Sequence, residues 1–199
     1  MPYELDPLPD NCYPGTTILI NKLNIKDENE FIKAETLSTF INSSRLEVEP
    51  LEGNFDFEHY KAVHKFLFDE FYDWAGQIRT VNISKKGTRF CPFDNIEERA
   101  GAIFTRLRKY DYFRNLTKPE FITEIVDFYC VTNELHPFRE GNGRSQRSFL
   151  TQLIRNAGYD INFSDIDIEL LMIATIQSAN GVIDLLENIF NKAIFISEH

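Results

Sequence analysis

Cysteine is scarce in this chain of 199 residues. Cys12, Cys91 and Cys130 are an odd number and stand far apart. That spacing excludes a disulfide framework and a cysteine-built zinc site, and fits a reducing compartment. Basic residues are also few, 21 Lys and Arg against 31 Asp and Glu, for a net charge of −10. A balance this acidic argues against direct nucleic-acid binding or attachment to an anionic membrane as the main activity. No apolar run reaches the length needed to cross a bilayer. The first ten residues, Met-Pro-Tyr-Glu-Leu-Asp-Pro-Leu-Pro-Asp, lack the basic start and apolar stretch of a secretory signal. There are no internal repeats, low-complexity tracts or second-domain linker. The expectation is a cytoplasmic protein with no membrane partner.

What the chain does have is an ample apolar fraction, 43%, with 18 phenylalanines and 8 tyrosines. That is enough for one sizeable core. Residues 1–16 read as an extended, proline-punctuated lead-in. Phe31, Ala34, Leu37, Phe40 and Ile41 recur at helical spacing after a turn at Asn24–Asp27, and Asn42-Ser43-Ser44 marks an expected end. Tyr60, Val63, Phe66, Leu67, Phe71 and Trp74 line one broad face of a second helical region, Asp56 to Trp74, broken once. His59 and His64 lie there without ligand partners at metal spacing, and read as surface or packed side chains.

Around residues 79–91 the period changes. Arg79-Thr80-Val81-Asn82-Ile83 alternates, Ser84-Lys85-Lys86-Gly87 signals a turn, and Thr88-Arg89-Phe90 returns, so a β-hairpin is expected in an otherwise helical chain. Taken alone, Lys85, Lys86 and Arg89 at its tip are accounted for by a solvated loop. A helix over about 95–110 follows. Thr117-Lys118-Pro119-Glu120 has the form of a capping box and opens a nearly all-apolar helix, the expected central one. It must end near His136, ahead of Pro137. A helix to about Asn156, one capped by Ser164 running to Asn180, and a last one from about Val182 to Ile196 complete the reading.

Chemistry concentrates in His-Pro-Phe-Arg-Glu-Gly-Asn-Gly-Arg-Ser-Gln-Arg, residues 136–147. If Asn142 caps the following helix, Arg144 and Arg147 lie three apart on one face of its first turn. Helix N-termini carry free N–H groups and partial positive charge, so two arginines there call for an anion. Gly141 and Gly143 allow positive φ and close backbone approach, which together describes a phosphate cradle. Glu140 beside it suits Mg²⁺, which takes few carboxylate oxygens plus phosphate oxygens. His136 stands where a general base reaches the same ligand.

This segment resembles the signature of the Fic family, His-x-Phe-x-(Asp/Glu)-Gly-Asn-Gly-Arg-x-x-Arg, at every defined position. Phe71-Tyr72-Asp73-Trp74-Ala75-Gly76-Gln77-Ile78-Arg79 is similar to the family's lead into its flap hairpin. The resemblance implies a mainly α fold, a Fic-like helical bundle with one β-hairpin flap. Residues 1–53 would be an N-terminal extension and helix packed on the core, 54–190 the Fic domain, and 191–199 the end of the C-terminal helix.

It also implies a protein adenylyltransferase that moves AMP from Mg·ATP to a Ser, Thr or Tyr hydroxyl of a target protein. His136 would be the base and Glu140 the Mg²⁺ ligand. Gly141, Asn142, Gly143, Arg144 and Arg147 would bind phosphates, and Phe138 would anchor the loop in the core. Lys85, Lys86, Gly87, Thr88, Arg89 and Phe90 would form a target-docking flap. Residues 1–53 resemble the N-terminal part of short bacterial Fic toxins, associated with cell filamentation. That suggests a type II topoisomerase subunit as target. The family's inhibitory pattern, (Ser/Thr)-x-x-x-Glu-(Gly/Asn), has no full match here. Ser43-Ser44-Arg45-Leu46-Glu47 lacks the last position, and Ile183 stands where Glu187-Asn188 would need Ser or Thr. A separate small antitoxin supplying an inhibitory glutamate is therefore expected. Two other readings stay open: a Doc-like kinase, and a nucleotide-binding module without catalysis.

Overall fold

A computed structural model describes residues 4–6, 11–85 and 88–196. Lys86 and Gly87 of the expected flap lie outside the described residues. Seven α-helices occur among those described: α1 Glu28–Val48, α2 Phe57–Phe68, α3 Ile96–Lys109, α4 Lys118–Leu135, α5 Asn142–Asn156, α6 Ile168–Ser178 and α7 Asp184–Ala193. The short strands are β1 Glu4–Asp6, β2 Asn82–Lys85, β3 Thr88–Arg89, β4 Tyr159–Ile161 and β5 Ile194–Ile196. The mainly helical architecture with a hairpin agrees with the sequence reading.

Helix α4 is the centre, packed against α3, α5 and α7. Its start is the expected capping box: the Thr117 N–H donates to the Glu120 carboxylate at 2.9 Å. Phe121, Ile125, Val126, Phe128 and Tyr129 are all buried along it. Between α2, α3, α4 and α5 an aromatic cluster of Tyr60, Phe104, Phe128, Phe138 and Phe149 forms the deepest core, with ring centroids 5.1–6.2 Å apart in offset and edge-on pairs. Helix α1 packs on α2 and α5.

Several expectations are corrected. Helix α1 does not stop at Asn42–Ser44 but runs to Val48. The Ser44 hydroxyl bonds back to the Phe40 carbonyl at 3.0 Å instead of breaking the turn. Its inward face is Phe31, Glu35, Thr39 and Leu46, while Leu37, Phe40 and Ile41 are exposed. Helix α6 is capped by Asp167, which accepts from Glu169 and Leu170, and not by Ser164. The C-terminal helix ends at Ala193. Ile194–Ile196 form β5, antiparallel to β4 with Tyr159 opposite Ile196, so residues 194–196 are strand and not helix end. Ile-Phe-Ile is strongly strand-forming, and β4 offers an edge to satisfy its backbone. The lead-in contributes β1, which pairs with β2 from Glu4–Ser84 to Asp6–Asn82. The hairpin is thus part of a three-stranded sheet in the order β1-β2-β3, which suits the marginal stability of an isolated hairpin.

Candidate active site

His136 caps α4 in the left-handed region, φ 42°, as Pro137 forbids it the helical conformation. Its Nδ1 lies 2.8 Å from the Asn133 carbonyl. A carbonyl only accepts, so Nδ1 carries the proton and Nε2 the lone pair. The ring is buried under Phe90, with centroids 3.7 Å apart and planes at 14°. That burial pushes its pKa down to about 3. The Asn133 bond opposes the shift, and the charges of Lys85 and Arg79 add to it. The imidazole is therefore neutral, the form a base needs.

Arg79 fixes this corner. It is itself buried. Its Nε donates to the His136 carbonyl at 2.8 Å, Nη1 to the Val81 carbonyl at 2.7 Å, and Nη2 to the Cys91 carbonyl. Its own N–H donates to the Pro137 carbonyl at 2.9 Å. One guanidinium thus ties both roots of the hairpin to the residue that ends α4.

The loop from Pro137 to Gly141 is held from below. Phe138 is fully buried, stacked on His64 at 3.9 Å and Tyr60 at 5.5 Å. His64 accepts the Gly76 N–H on Nδ1 at 2.8 Å, so its protonated Nε2 donates to the Glu140 carbonyl at 3.0 Å. Burial lowers its pKa to about 4, partly offset by the Glu140 bond. His64 is a packed side chain, as read from the sequence, but one that holds the motif loop. Gly141, not Asn142, is the N-cap of α5, at φ 78°. The Asn142 amide closes the loop instead, accepting from the Phe138 N–H and donating to the Phe138 carbonyl, each at 2.8 Å. A Cβ at Gly141 would run into the Phe68 ring.

The two arginines of α5 have different surroundings. Arg144 Nη1 donates to Glu35 at 2.9 Å and to the Thr39 hydroxyl at 3.1 Å, and its guanidinium lies over the Phe68 ring at 4.6 Å. Its Nη2 is 3.8 Å from Glu140. For Arg147 no ion pair or hydrogen bond of the guanidinium occurs among the described residues, and burial lowers its pKa. It lines a cavity of 330 Å³ together with His136, Gly143, Lys85, Thr88 and Phe90. The far wall of that cavity is Tyr129, Asn133, Glu169, Met172 and Thr175. Arg89 faces a neighbouring cavity of 460 Å³ on the open side of β3.

Among the described residues no three His, Cys, Asp or Glu side chains converge as a metal cluster. Glu140 is the carboxylate of the loop, with Oε1 accepting the Gly141 N–H at 2.8 Å. A single carboxylate beside an anion cradle suits Mg²⁺, which is commonly shared between one or two protein oxygens and substrate phosphates. Zn²⁺ would need a closed set of N and S ligands.

The Fic/DOC family model matches residues 54–154. The chain belongs to the Fic/DOC family. It is 40% identical to "Probable protein adenylyltransferase y4lH" of Sinorhizobium fredii, over 88% of this chain and 89% of that protein. It is 35% identical to "Probable protein adenylyltransferase Fic" of Escherichia coli K12, over 92% and 90%. The structure is similar to that of the BepC protein of Bartonella tribocorum with bound AMPPNP, at a TM-score of 0.89 and 26% identity, covering 94% of this chain and 97% of that one. It is similar also to the N-terminal Fic domain of a Bep effector protein of Bartonella quintana with bound ADP, at 0.90 and 25%, covering 94% and 95%.

Within this Fic fold the structure brings His136, Gly143, Arg147, Lys85, Thr88 and Phe90 to one cavity. Glu140, Gly141 and Asn142 lie in the adjoining loop, and Arg144 turns toward α1. Sequence reading missed Glu35, His64 and Arg79 as parts of the site. Arg79 carried a signal, being the last residue of the segment similar to the flap lead. Glu35 carried none, because the apolar spacing of α1 pointed to a different stripe from the one that is buried. Among the described residues no helix is long and apolar enough to cross a membrane.

Proposed function

We propose that this chain is a protein adenylyltransferase that moves AMP from Mg·ATP to the hydroxyl of a Ser, Thr or Tyr in a target protein. The observation that carries the reading is Arg147: a half-buried guanidinium with no counter-charge among the described residues, in the same cavity as a neutral His136. The acceptor hydroxyl gives its proton to His136 Nε2 as its oxygen attacks the α-phosphorus. The bond from that phosphorus to the bridging oxygen breaks, and pyrophosphate leaves. The N–H groups of Asn142 and Gly143 at the start of α5 face the phosphates, joined by the Gly141 N–H once it leaves the Glu140 carboxylate, with Arg147 and the Nη2 side of Arg144 compensating charge. Glu140 would hold Mg²⁺, which neutralises phosphate charge when bound. The wall of Tyr129, Asn133, Glu169 and Thr175 receives the base, and Phe138 anchors the loop.

The target docks on the hairpin. One edge of β2 is already covered by β1, which leaves β3 for strand addition. Lys85, Thr88, Arg89 and Phe90 then border the acceptor. We further infer a cytoplasmic toxin of a toxin–antitoxin pair, linked to cell filamentation, with a type II topoisomerase subunit as target. A groove of 400 Å³ between α1 and α5, lined by Phe40, Leu46, Arg144 and Arg147, supports an antitoxin whose glutamate reaches Arg147. The exposed Leu37, Phe40 and Ile41 beside it support an apolar partner face.

The test is transfer of label from ATP by wild type and by H136A. Label from the α-phosphate on the target, lost in H136A while ATP binding persists, is the expected result. Label from the γ-phosphate would instead indicate the kinase reading, and equal transfer by H136A would remove the base from His136. Intact-mass analysis of lysate proteins after incubation with ATP identifies the target.

A further inference from the structure

Glu35 is a carboxylate on the inward face of α1, and it is 8% exposed. Its two oxygens are both engaged. Oε1 accepts from the Tyr72 hydroxyl, and Oε2 accepts from Arg144 Nη1 at 2.9 Å. Thr39, one turn along α1, accepts from the same Nη1 at 3.1 Å and passes its own proton to the Glu35 carbonyl at 2.7 Å. Phe68 covers the guanidinium face. Arg144 is thus gripped on one nitrogen, from a helix outside residues 54–154, where the family model matches.

The other side of the guanidinium faces Glu140. Nη2 is 3.8 Å from Glu140 Oε1, near but not hydrogen-bonded. A rotation of one side chain would close that gap. Arg144 therefore stands between two carboxylates, and the nearer, better-buried one holds it. Ion pairs gain strength with burial and with multiple donors, which favours Glu35 over the more exposed Glu140.

We propose that Glu35 is a positioning residue that restrains Arg144 from capturing Glu140, and so keeps the Glu140 carboxylate available to a divalent cation. This rests on the proposed metal role of Glu140. Without the Glu35 charge, Arg144 pairs with Glu140 and competes with Mg²⁺ for the same oxygens. Helix α1 is then a working part of the site and not only an extension packed against it. A merely structural Glu35 would alter stability and leave the response to Mg²⁺ where it is.

The experiment measures equilibrium binding of ATP to the full chain across a series of Mg²⁺ concentrations. An H136A background prevents turnover. The readout is the Mg²⁺ concentration at which ATP affinity is half-enhanced. E35Q is expected to raise it on the order of 10-fold, the usual effect of removing a residue that orients a metal ligand. E35Q/R144Q is expected to have the same midpoint as R144Q alone, because the competing cation is gone from both. E35D keeps the charge on a shorter arm and gives an intermediate midpoint. It carries the test if E35Q does not fold. An E35Q or E35D midpoint equal to wild type, or an E35Q/R144Q midpoint raised over R144Q as far as E35Q is raised over wild type, overturns the proposal. A wild-type affinity indifferent to Mg²⁺ overturns the metal role of Glu140 itself, and the two failures are thereby distinct.

Discussion

The Phe90 ring lies flat on the imidazole of His136, with centroids 3.7 Å apart. Phe90 directly follows the return strand β3, so the hairpin proposed to dock a target also covers the proposed base. This stack holds the ring plane while the Asn133 bond sets the tautomer. Under the proposed function, both serve to present Nε2 to an acceptor in its unprotonated form.

Removing the stack exposes the consequence. In F90A water reaches the imidazole, and the His136 pKa rises from about 3 toward the ordinary 6.5. A base works when unprotonated, so the acid limb of kcat/KM should move to higher pH. At neutral pH the rate should fall about tenfold through lost orientation, well short of the loss in H136A, roughly 100-fold or more. A pH–rate profile with labelled ATP decides it. An unmoved acid limb would show that Phe90 does not control the desolvation of His136.

Acid should destabilise the fold through two histidines. His64 and His136 have folded pKa values lowered to about 4 and about 3. Below pH 6.5 the unfolded chain takes up protons that the folded chain refuses, so their contribution is complete above pH 6.5. It falls as pH drops, by about 1.4 kcal/mol per unit for each. Between pH 6 and 4.5, H64Q should therefore lose stability less steeply than wild type, by about that slope. Denaturant titrations of both proteins at several pH values measure the difference; parallel pH dependences would contradict it.

Arg79 predicts a variant that keeps ATP and loses chemistry. Lysine cannot span the carbonyls of His136, Val81 and Cys91 from one planar group. R79K should cost about 3 kcal/mol of stability, as expected for losing charged hydrogen bonds in a buried site. It should lower kcat while ATP affinity stays near wild type, because Arg79 does not line the cavity proposed to take ATP. Calorimetric ATP titration beside steady-state transfer separates the two effects. A rise in the ATP dissociation constant matching the fall in kcat would show that Arg79 acts on the nucleotide.

At Gly141 the backbone permits no side chain. Its φ of 78° and the Phe68 ring behind it both oppose a Cβ. G141A should lose about 2 kcal/mol or more and most of its ATP affinity, since the cradle N–H groups shift together. Pairing it with F68A relieves the clash but not the positive φ, and should recover only part of the affinity. Full recovery in the double variant would assign the whole defect to the clash.

Much was legible in the sequence because it was local. The capping box at Thr117, the end of α4 forced by Pro137, and the hairpin signalled by alternation all depend on near neighbours, and the structure has each. The motif announced its chemistry by crowding arginines at a helix start. Its cap was misread because Gly141 takes the left-handed conformation, which frees the Asn142 amide to close the loop on Phe138. The spacing of apolar residues revealed α1 but neither its end nor its buried face. Which stripe turns inward depends on α2 and α5, and the stripe that does so carries Glu35 and Thr39.

Tertiary structure decided the rest. Ile194–Ile196 became a strand because β4, some 35 residues earlier, offered unpaired backbone groups at the right place. The fates of the two arginines diverged for the same kind of reason. Sequence put Arg144 and Arg147 on one helix face and demanded an anion for both. Folding brought Glu35 from 109 residues away to answer the first, and among the described residues brought no carboxylate to the second. Spacing along a chain reports which groups share a face. Only the packing of distant segments determines which charges find a partner within the protein.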